Sequence, residues 1–288
     1  MSEFMQKLMN IGIVGLGLIG GSLGLDLRAR GYRVLGVSRR EQNCQRAIAR
    51  GVVDDASVDP ATLTTANVIF ICTPLAAIIP TVEQLIPHLL PATVLTDVGS
   101  VKAPVVEAIA PLWPNFVGGH PMAGTADSGI EAAHLDLFAL KPYVLTPVAK
   151  TPDQACRTVE EIARSLQAQV YYCRPDDHDR AVSWISHLPV MVSAGLIAAC
   201  MSETNPDVLA LAQHLASSGF RDTSRVGGGN PELGVMMARY NRGELLRSLQ
   251  HYRHNLEVLI DLIEQEDWTA LEQQLKSNHL ARPQFIEE

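Results

Sequence analysis

The sequence predicts an α/β fold in which a doubly wound sheet is followed by an all-helical domain. An apolar run ends in a glycine-rich turn and opens a segment with helical spacing. Short apolar runs then alternate with helical patterns up to residue 173, as βαβ units do, and only helical patterns follow. We therefore expect two domains, residues 9–173 and residues 174–288.

Charge and cysteine usage argue against a nucleic-acid partner, a disulfide frame and a zinc site. The chain has 288 residues and a formal net charge of −8, with no basic stripe that could neutralise phosphates, so we expect no nucleic acid. Its five cysteines are scattered and lack C-x-x-C spacing. This usage indicates reduced thiols of a cytoplasmic protein, with neither a disulfide frame nor a zinc site.

The start of the chain and one apolar stretch bear on whether the protein carries a signal peptide or a membrane span. No basic-then-apolar signal opens the sequence, and we expect residues 1–8 to be a disordered extension, with Met9 a possible natural start. Ala181 to Met201 carries no Asp, Glu, Lys or Arg over 21 residues. It also contains Ser186, His187 and Pro189, which favours a helix buried in a domain or dimer core over a membrane span.

The first half of the chain predicts strands and helices in alternation. Ile11–Val14 is the first strand, and the helix after it ends at Gly31, a typical C′ residue. Later strands are expected at Arg33–Val37, Val68–Cys72, Val94–Thr96 and Phe116–Val117, with edge strands at Tyr143–Thr146 and Gln169–Tyr172 flanking a helix over Asp153–Leu166.

The second half predicts helices with recognisable caps. Asp176 or Asp177 is expected to cap the long apolar helix. Asn205 and Asn230, each followed by proline and an acid, indicate two further helix starts, and Asp267 a last one.

The glycine-rich turn is the most specific local signal. In Gly15-Leu16-Gly17-Leu18-Ile19-Gly20 the first glycine permits the tight turn, the second a close approach of backbone to pyrophosphate, and the third close packing of helix on strand. The phosphates would lie at the helix N-terminus, where free N–H groups favour an anion. We therefore expect a Rossmann-type dinucleotide site.

The end of the second strand indicates which dinucleotide binds. NAD enzymes usually place an acid here to bind the ribose hydroxyls, but this chain has Ser38-Arg39-Arg40. A planar guanidinium suits a phosphate, so the cofactor expected is NADP; the alternative is a solvated basic turn.

Several polar residues follow later strands and would face the same crevice. Cys72-Thr73-Pro74 ends one strand, and Cys72 fits a small buried hydrophobe better than a nucleophile. Ser100 could hydrogen-bond substrate or nicotinamide, or simply cap a helix. His120, between paired glycines and a proline, could accept a hydroxyl proton as hydride leaves.

The helical half adds a second set of candidates. His187, beside Pro189 in an apolar helix, indicates a kink where a polar group meets a ligand; a satisfied core histidine is the alternative. Ser217 to Pro231 is expected to be a polar loop, with Arg221 and Arg225 available to hold a carboxylate. His251 and His254 have charged neighbours and are expected on the surface, so no metal site is predicted.

Five motifs together resemble one enzyme family. They are Gly15–Gly20, Thr96–Lys102, Gly119–Gly124, Ser186–Pro189 and Gly219–Arg225, in that order. Over residues 9–288 the chain resembles the prephenate/arogenate dehydrogenase family of tyrosine biosynthesis, and most of all its cyanobacterial arogenate dehydrogenases.

The resemblance implies a homodimer with its site between a nucleotide domain and a helical domain. It implies that His120 is the catalytic histidine, that Ser100 assists it, that Arg225 binds a substrate carboxylate, and that His187 contacts the substrate. Arg221 and Asp222 are further substrate-binding candidates, at positions where relatives vary. Some prephenate-using relatives have an acid where this chain has Ala126, although Asp127 is adjacent. The expected cofactor-binding residues are Gly15, Gly17, Leu18, Ile19, Gly20, Ser38, Arg39, Arg40, Cys72, Thr73, Pro74, Asp97, Ser100 and Met122.

The reaction implied is NADP-dependent oxidative decarboxylation of L-arogenate to L-tyrosine. The alternative is a prephenate or dual-specificity cyclohexadienyl dehydrogenase that yields 4-hydroxyphenylpyruvate. A β-hydroxyacid or imine reductase would typically carry a lysine on the first long helix of the second domain, where this chain has His187. A non-catalytic NADPH-sensing regulator would bind cofactor without turnover.

Overall fold

A computed structural model describes residues 9–125 and 127–286 of the chain. The proposed N-terminal extension and the comparison at Ala126 concern residues outside these ranges. The chain divides into two compact units, one up to Asn241 and one from Arg242 onward. The predicted domain boundary after residue 173 stays a prediction.

One eight-stranded sheet organises the first unit, in the order β3-β2-β1-β4-β5-β6-β7-β8. The first six strands are parallel, while β7 runs antiparallel to β6 and parallel to β8. This places β1 at the reversal of strand order, where doubly wound sheets bind their ligands. The strands are β1 (Asn10–Val14), β2 (Arg33–Val37), β3 (Asp55–Ser57), β4 (Val68–Ile71), β5 (Val94–Asp97), β6 (Phe116–Pro121), β7 (Pro142–Thr146) and β8 (Gln169–Tyr172).

The predicted doubly wound α/β fold is confirmed, with two local corrections. The short β3 was not predicted, and of the two expected edge strands only β8 lies at an edge, because β7 pairs on both sides. The helices of this part are α1 (Leu18–Ala29), α2 (Glu41–Ala49), α3 (Leu75–Leu85), α4 (Ala103–Ile109) and α5 (Asp153–Ser165).

Two apolar clusters, one on each face of the sheet, form the core. Alternate residues of a strand point to opposite faces, so Phe70 of β4 joins one cluster and Ile69 and Ile71 join the other. Both faces of the sheet are therefore buried against apolar side chains, as expected for parallel strands covered by helices.

Up to residue 286, the last one described, only helices follow β8, as predicted. In the first unit they are α6 (Pro175–Val182), a π-helical turn (Ser183–His187), α7 (Leu188–Met201), α8 (Pro206–Leu215), α9 (Ser218–Ser224) and α10 (Pro231–Tyr240). The second unit contains α11 (Arg242–Glu264) and α12 (Trp268–Ala281). The side chains of Asn205, Asn230 and Asp267 cap α8, α10 and α12, which confirms three predicted helix starts.

One expectation for the helical half is wrong, and a second is wrong in part. Asp176 and Asp177 lie in the first turn of α6, whose N-cap is Arg174, because Pro175 occupies the first helical position. Of the α7 residues only Ser193 is buried, so α7 does not lie in the core of its own domain, while the other part of the expectation, burial in a dimer core, stays a prediction. Pro175–Met201 is long and apolar enough to cross a membrane by length and composition, which alone is weak evidence.

Candidate active site

The glycine turn after β1 has the geometry that a dinucleotide requires. Gly15 has a φ of +97°, and a Cβ there would lie 2.6 Å from the Cys72 carbonyl oxygen. A Cβ at Gly20 would lie 2.0 Å from the carbonyl oxygen of Gly15, so the third glycine permits close packing of α1. Gly17 is different, because a Cβ there would meet no atom within 4 Å.

The residues around this turn fit a bound dinucleotide. Gly17 is the N-cap of α1 and offers no side-chain cap, so the first N–H groups of the helix remain available to an anion. The Thr73 hydroxyl, after β4, is buried without a partner among the described residues. An unpaired buried hydroxyl is costly, which is consistent with a ligand that binds it.

The basic turn after β2 is exposed at the same edge of the sheet. Ser38 is buried and donates its N–H to the Ser57 carbonyl oxygen, whereas Arg39 and Arg40 are exposed. Within residues 9–125 and 127–286 neither guanidinium forms an ion pair. Both charges therefore remain available to a phosphate.

A fully buried ion pair holds the ends of β5 and β6 together. Lys102 Nζ contacts the Asp97 carboxylate and donates to the carbonyl oxygen of Gly119 over 2.7 Å. The Asp97 carboxylate also accepts from the N–H groups of Gly99 at 2.9 Å and Gly119 at 3.2 Å. The Asp97 carboxylate is thus engaged with three donors inside the protein.

His120 lies near the end of β6, directly after this anchored glycine, and is 8% exposed. Its Nδ1 is 2.8 Å from Nε2 of His178, and Nδ1 of His178 is 2.8 Å from the Asp179 carboxylate. The same carboxylate accepts from the backbone N–H groups of Lys102 at 2.7 Å and Ala103 at 2.8 Å. One hydrogen bond therefore joins the start of α6 to the end of β6, and two join it to the start of α4.

Burial lowers the pKa of His120 well below its usual value, and the neighbouring His178, Lys102 and His187 lower it further. Its imidazole is therefore neutral near pH 7 and able to accept a proton. Burial also lowers the pKa of Lys102, an effect that the Asp97 carboxylate opposes. Burial raises the pKa of the Cys72 thiol, which argues against Cys72 as a nucleophile.

His187 closes the π-helical turn, so the predicted interruption of the apolar helix is confirmed; π turns often mark functional sites. Asn241 donates from Nδ2 to the Asp179 carbonyl oxygen over 2.8 Å, which fixes the orientation of its amide. The same amide nitrogen lies 3.1 Å from His187 Nδ1, which must then accept. The proton of His187 is therefore on Nε2.

The Nε2 atom of His187 is a buried donor without a partner among the described residues. Burial lowers the pKa of His187 to about 4, with His178 lowering it and Asp179 raising it. The ring is therefore a neutral hydrogen-bond donor. Such a group is suited to an acceptor atom of a ligand.

Other predicted residues are not brought to this cluster by any contact within the described ranges. Ser100 lies partly exposed between β5 and α4, and Met122 follows β6 with its N–H bonded to the Pro142 carbonyl oxygen. Arg221 pairs with Asp222 at 3.1 Å on exposed α9, and Arg225 is exposed at its end.

The predicted loop over Ser217 to Pro231 is wrong in part, because Ser218–Ser224 is helical. His251 and His254 are exposed, as predicted. Among the described residues no cluster of three His, Cys, Asp or Glu side chains could hold a metal, and all five cysteines are free.

Four residues of the cluster were not predicted from the sequence: Lys102, His178, Asp179 and Asn241. Lys102 stood inside a recognised motif without a role. The other three carry no local signal beyond His178 and Asp179 being adjacent at the start of a helix. Their partners lie 54 to 77 residues away in the chain.

Comparison with known proteins identifies the same two parts of the chain, a nucleotide-binding region followed by a helical region. Residues 23–172 match the family model for the prephenate dehydrogenase nucleotide-binding domain, and residues 174–277 match that for the prephenate dehydrogenase dimerization domain. The chain is 32% identical to a Bacillus subtilis prephenate dehydrogenase over 88% of this chain and 70% of that protein. It is 29% identical to a Zymomonas mobilis cyclohexadienyl dehydrogenase over 96% of both chains.

Solved structures give the same result. Synechocystis arogenate dehydrogenase superposes with a TM-score of 0.87 at 53% identity, covering 96% of this chain and 100% of that one. A prephenate dehydrogenase from A. aeolicus, in complex with hydroxyphenyl propionate and NAD⁺, gives a TM-score of 0.91 at 26% identity, covering 96% and 98%. The chain belongs to the prephenate/arogenate dehydrogenase family and is an oxidoreductase.

The lowered pKa of His120 predicts the acidic limb of the pH profile. If His120 is the base, kcat/KM falls as pH drops through its pKa, because protonation removes the acceptor lone pair. Since that pKa lies below the ordinary histidine value of about 6.5, kcat/KM should stay flat from pH 7.5 to about pH 6. Steady-state rates in constant-ionic-strength buffers measure this. A limb that begins above pH 7 would contradict the assignment.

Proposed function

We propose that the protein catalyses the NADP-dependent oxidative decarboxylation of L-arogenate to L-tyrosine. The observation that carries the proposal is a neutral, buried His120 beside the strand ends of a dinucleotide-binding sheet, with His187 offering an unpaired donor nearby. The likeness to Synechocystis arogenate dehydrogenase, at 53% identity over nearly the whole chain, supports this substrate.

The proposed reaction assigns a task to each residue. His120 accepts the hydroxyl proton of the cyclohexadienol at Nε2 as hydride leaves the carbinol carbon. NADP, when bound, supplies the hydride acceptor. The ring carboxylate departs as CO₂ and the ring becomes aromatic, which makes the step effectively irreversible. Ser100 assists by hydrogen bonding to the reacting groups, Arg225 holds a carboxylate, and His187 donates to the substrate.

The choice of NADP over NAD rests on the turn after β2. No acid stands there, and Arg39 and Arg40 are exposed and have no ion pair within the described ranges. The A. aeolicus relative holds NAD⁺, so NAD is the competing cofactor. Gly17 and the N-terminus of α1 would serve the pyrophosphate of either one.

Arg39→Ala should raise the KM for NADP roughly ten-fold or more and leave that for NAD nearly unchanged. A lost charge-assisted contact to a phosphate costs about 1.5–3 kcal/mol, and 1.4 kcal/mol corresponds to about ten-fold. Arg33→Ala is the matched control, because Arg33 is also exposed and lies at the opposite end of β2. Equal efficiency with both cofactors in the wild type would overturn the NADP proposal.

The substrates differ at one carbon, which carries an ammonium in arogenate and a ketone in prephenate. A site for arogenate needs an acceptor near that carbon and few extra cations. Asp222 is the proposed acceptor, although it is now paired with Arg221. The alternative is a prephenate or dual-specificity dehydrogenase, because the Bacillus relative is a prephenate dehydrogenase and the Zymomonas relative a cyclohexadienyl dehydrogenase.

Steady-state kinetics with both substrates and both cofactors test the proposed function. We expect the highest kcat/KM for L-arogenate with NADP, measured by absorbance of the reduced nicotinamide. A ratio near one, or in favour of prephenate, would make the enzyme a dual-specificity or prephenate dehydrogenase. Cofactor binding without any turnover would instead indicate an NADPH-sensing protein.

We further propose a cytoplasmic homodimer, without nucleic acid or membrane partners. Five free cysteines fit a reducing compartment, and the exposed apolar α7 lies within the region matched to a dimerization domain. A partner subunit would cover this face. Sedimentation at micromolar concentration distinguishes the dimer from a 31.3 kDa monomer.

A further inference from the structure

A buried chain of three polar side chains ends at His120. The Asp179 carboxylate lies 2.8 Å from Nδ1 of His178. Nε2 of His178 in turn lies 2.8 Å from Nδ1 of His120. The three residues are 2% to 8% exposed. Resting on the function proposed above, we propose that His178 and Asp179 are positioning residues that hold His120 with its proton on Nδ1, so that Nε2 is the free base.

The direction of the chain is fixed at Asp179. Its carboxylate already accepts from the backbone N–H groups of Lys102 and Ala103. A carboxylate that already accepts from two backbone N–H groups meets its third partner as an acceptor too, because a carboxylate has only acceptor sites. The Nδ1 atom of His178 must therefore be protonated and donate to Asp179.

The tautomer of His178 sets the tautomer of His120 through the hydrogen bond between them. A neutral imidazole that is protonated on Nδ1 carries its lone pair on Nε2, so His178 accepts at Nε2. The atom facing it, His120 Nδ1, must donate. The remaining ring nitrogen of His120, Nε2, then has a free lone pair. With the other tautomer, Nε2 would carry a hydrogen and could not accept the hydroxyl proton.

The chain also matches the charge that appears during turnover. When His120 takes the hydroxyl proton at Nε2 it becomes an imidazolium, and its Nδ1–H bond to His178 becomes charge-assisted. The Asp179 carboxylate polarises His178 toward that charge. Lys102 and His187 act in the opposite direction on His120, and Asp97 is occupied with Lys102.

The tautomer can be read without substrate. In ¹⁵N spectra of histidine-labelled enzyme at pH 7.5, signals assigned by difference from His120→Asn should show His120 protonated on Nδ1 and unprotonated on Nε2. In His178→Leu that preference should be lost. A wild-type His120 protonated on Nε2 would overturn the proposal.

Kinetics test whether the contact matters for turnover. His178→Leu removes the acceptor and should lower kcat by about 10²-fold or more, with an unchanged Kd for the cofactor. His178→Gln can still accept from His120 Nδ1 and should recover kcat to within about ten-fold of wild type. The control is His88→Leu, a change at an exposed histidine. If Gln and Leu lower kcat equally, His178 only fills space and the proposal fails.

A double-mutant cycle separates the action of Asp179 through His178 from its contacts to the start of α4. Asp179→Asn should lower kcat in the wild type but add little in the His178→Leu background. Full additivity would overturn the part assigned to Asp179. A wild type inactive on both arogenate and prephenate would defeat the proposed function alone, because the ¹⁵N assignment would still stand.

Discussion

The buried ion pair of Asp97 and Lys102 is the constraint on which the site depends. Both side chains are fully buried, and together they bind Gly99 and both backbone groups of Gly119. Burial of two charges is costly, and loss of one partner would leave the other uncompensated, at about 3–5 kcal/mol. The pair therefore fixes the end of β5 against β6 and thereby places His120, the residue after Gly119.

Asp179 extends this constraint into the helical half. It binds the backbone of Lys102 and Ala103, while its own carbonyl accepts from Asn241, which in turn holds His187. One acidic residue at the start of the helical region thus connects the anchored strand ends with both histidines that face the site. A change in the packing of α6 would therefore shift the positions of both His120 and His187.

The sequence allowed the fold to be predicted wherever local chemistry decides it. Gly15 and Gly20 tolerate no side chain, and the helix starts at Asn205 and Asn230, each followed by proline, formed as expected. Two elements escaped prediction, β3 because it is short and polar, and α9 because Ser, Gly, Asp and Thr are typical of loops. His178 and Asp179 escaped because their partners are distant in the chain, so only tertiary structure shows their role.

The central claim is that His120 is the base of a dehydrogenase, held neutral by burial and positioned by the strand ends. His120→Asn tests it most directly in a single-turnover experiment at saturating cofactor and substrate. Because a positioned base contributes about 10²–10⁴ in rate, hydride transfer should slow by that factor while cofactor affinity stays as in the wild type. A variant that turns over within a few-fold of the wild type would contradict the account.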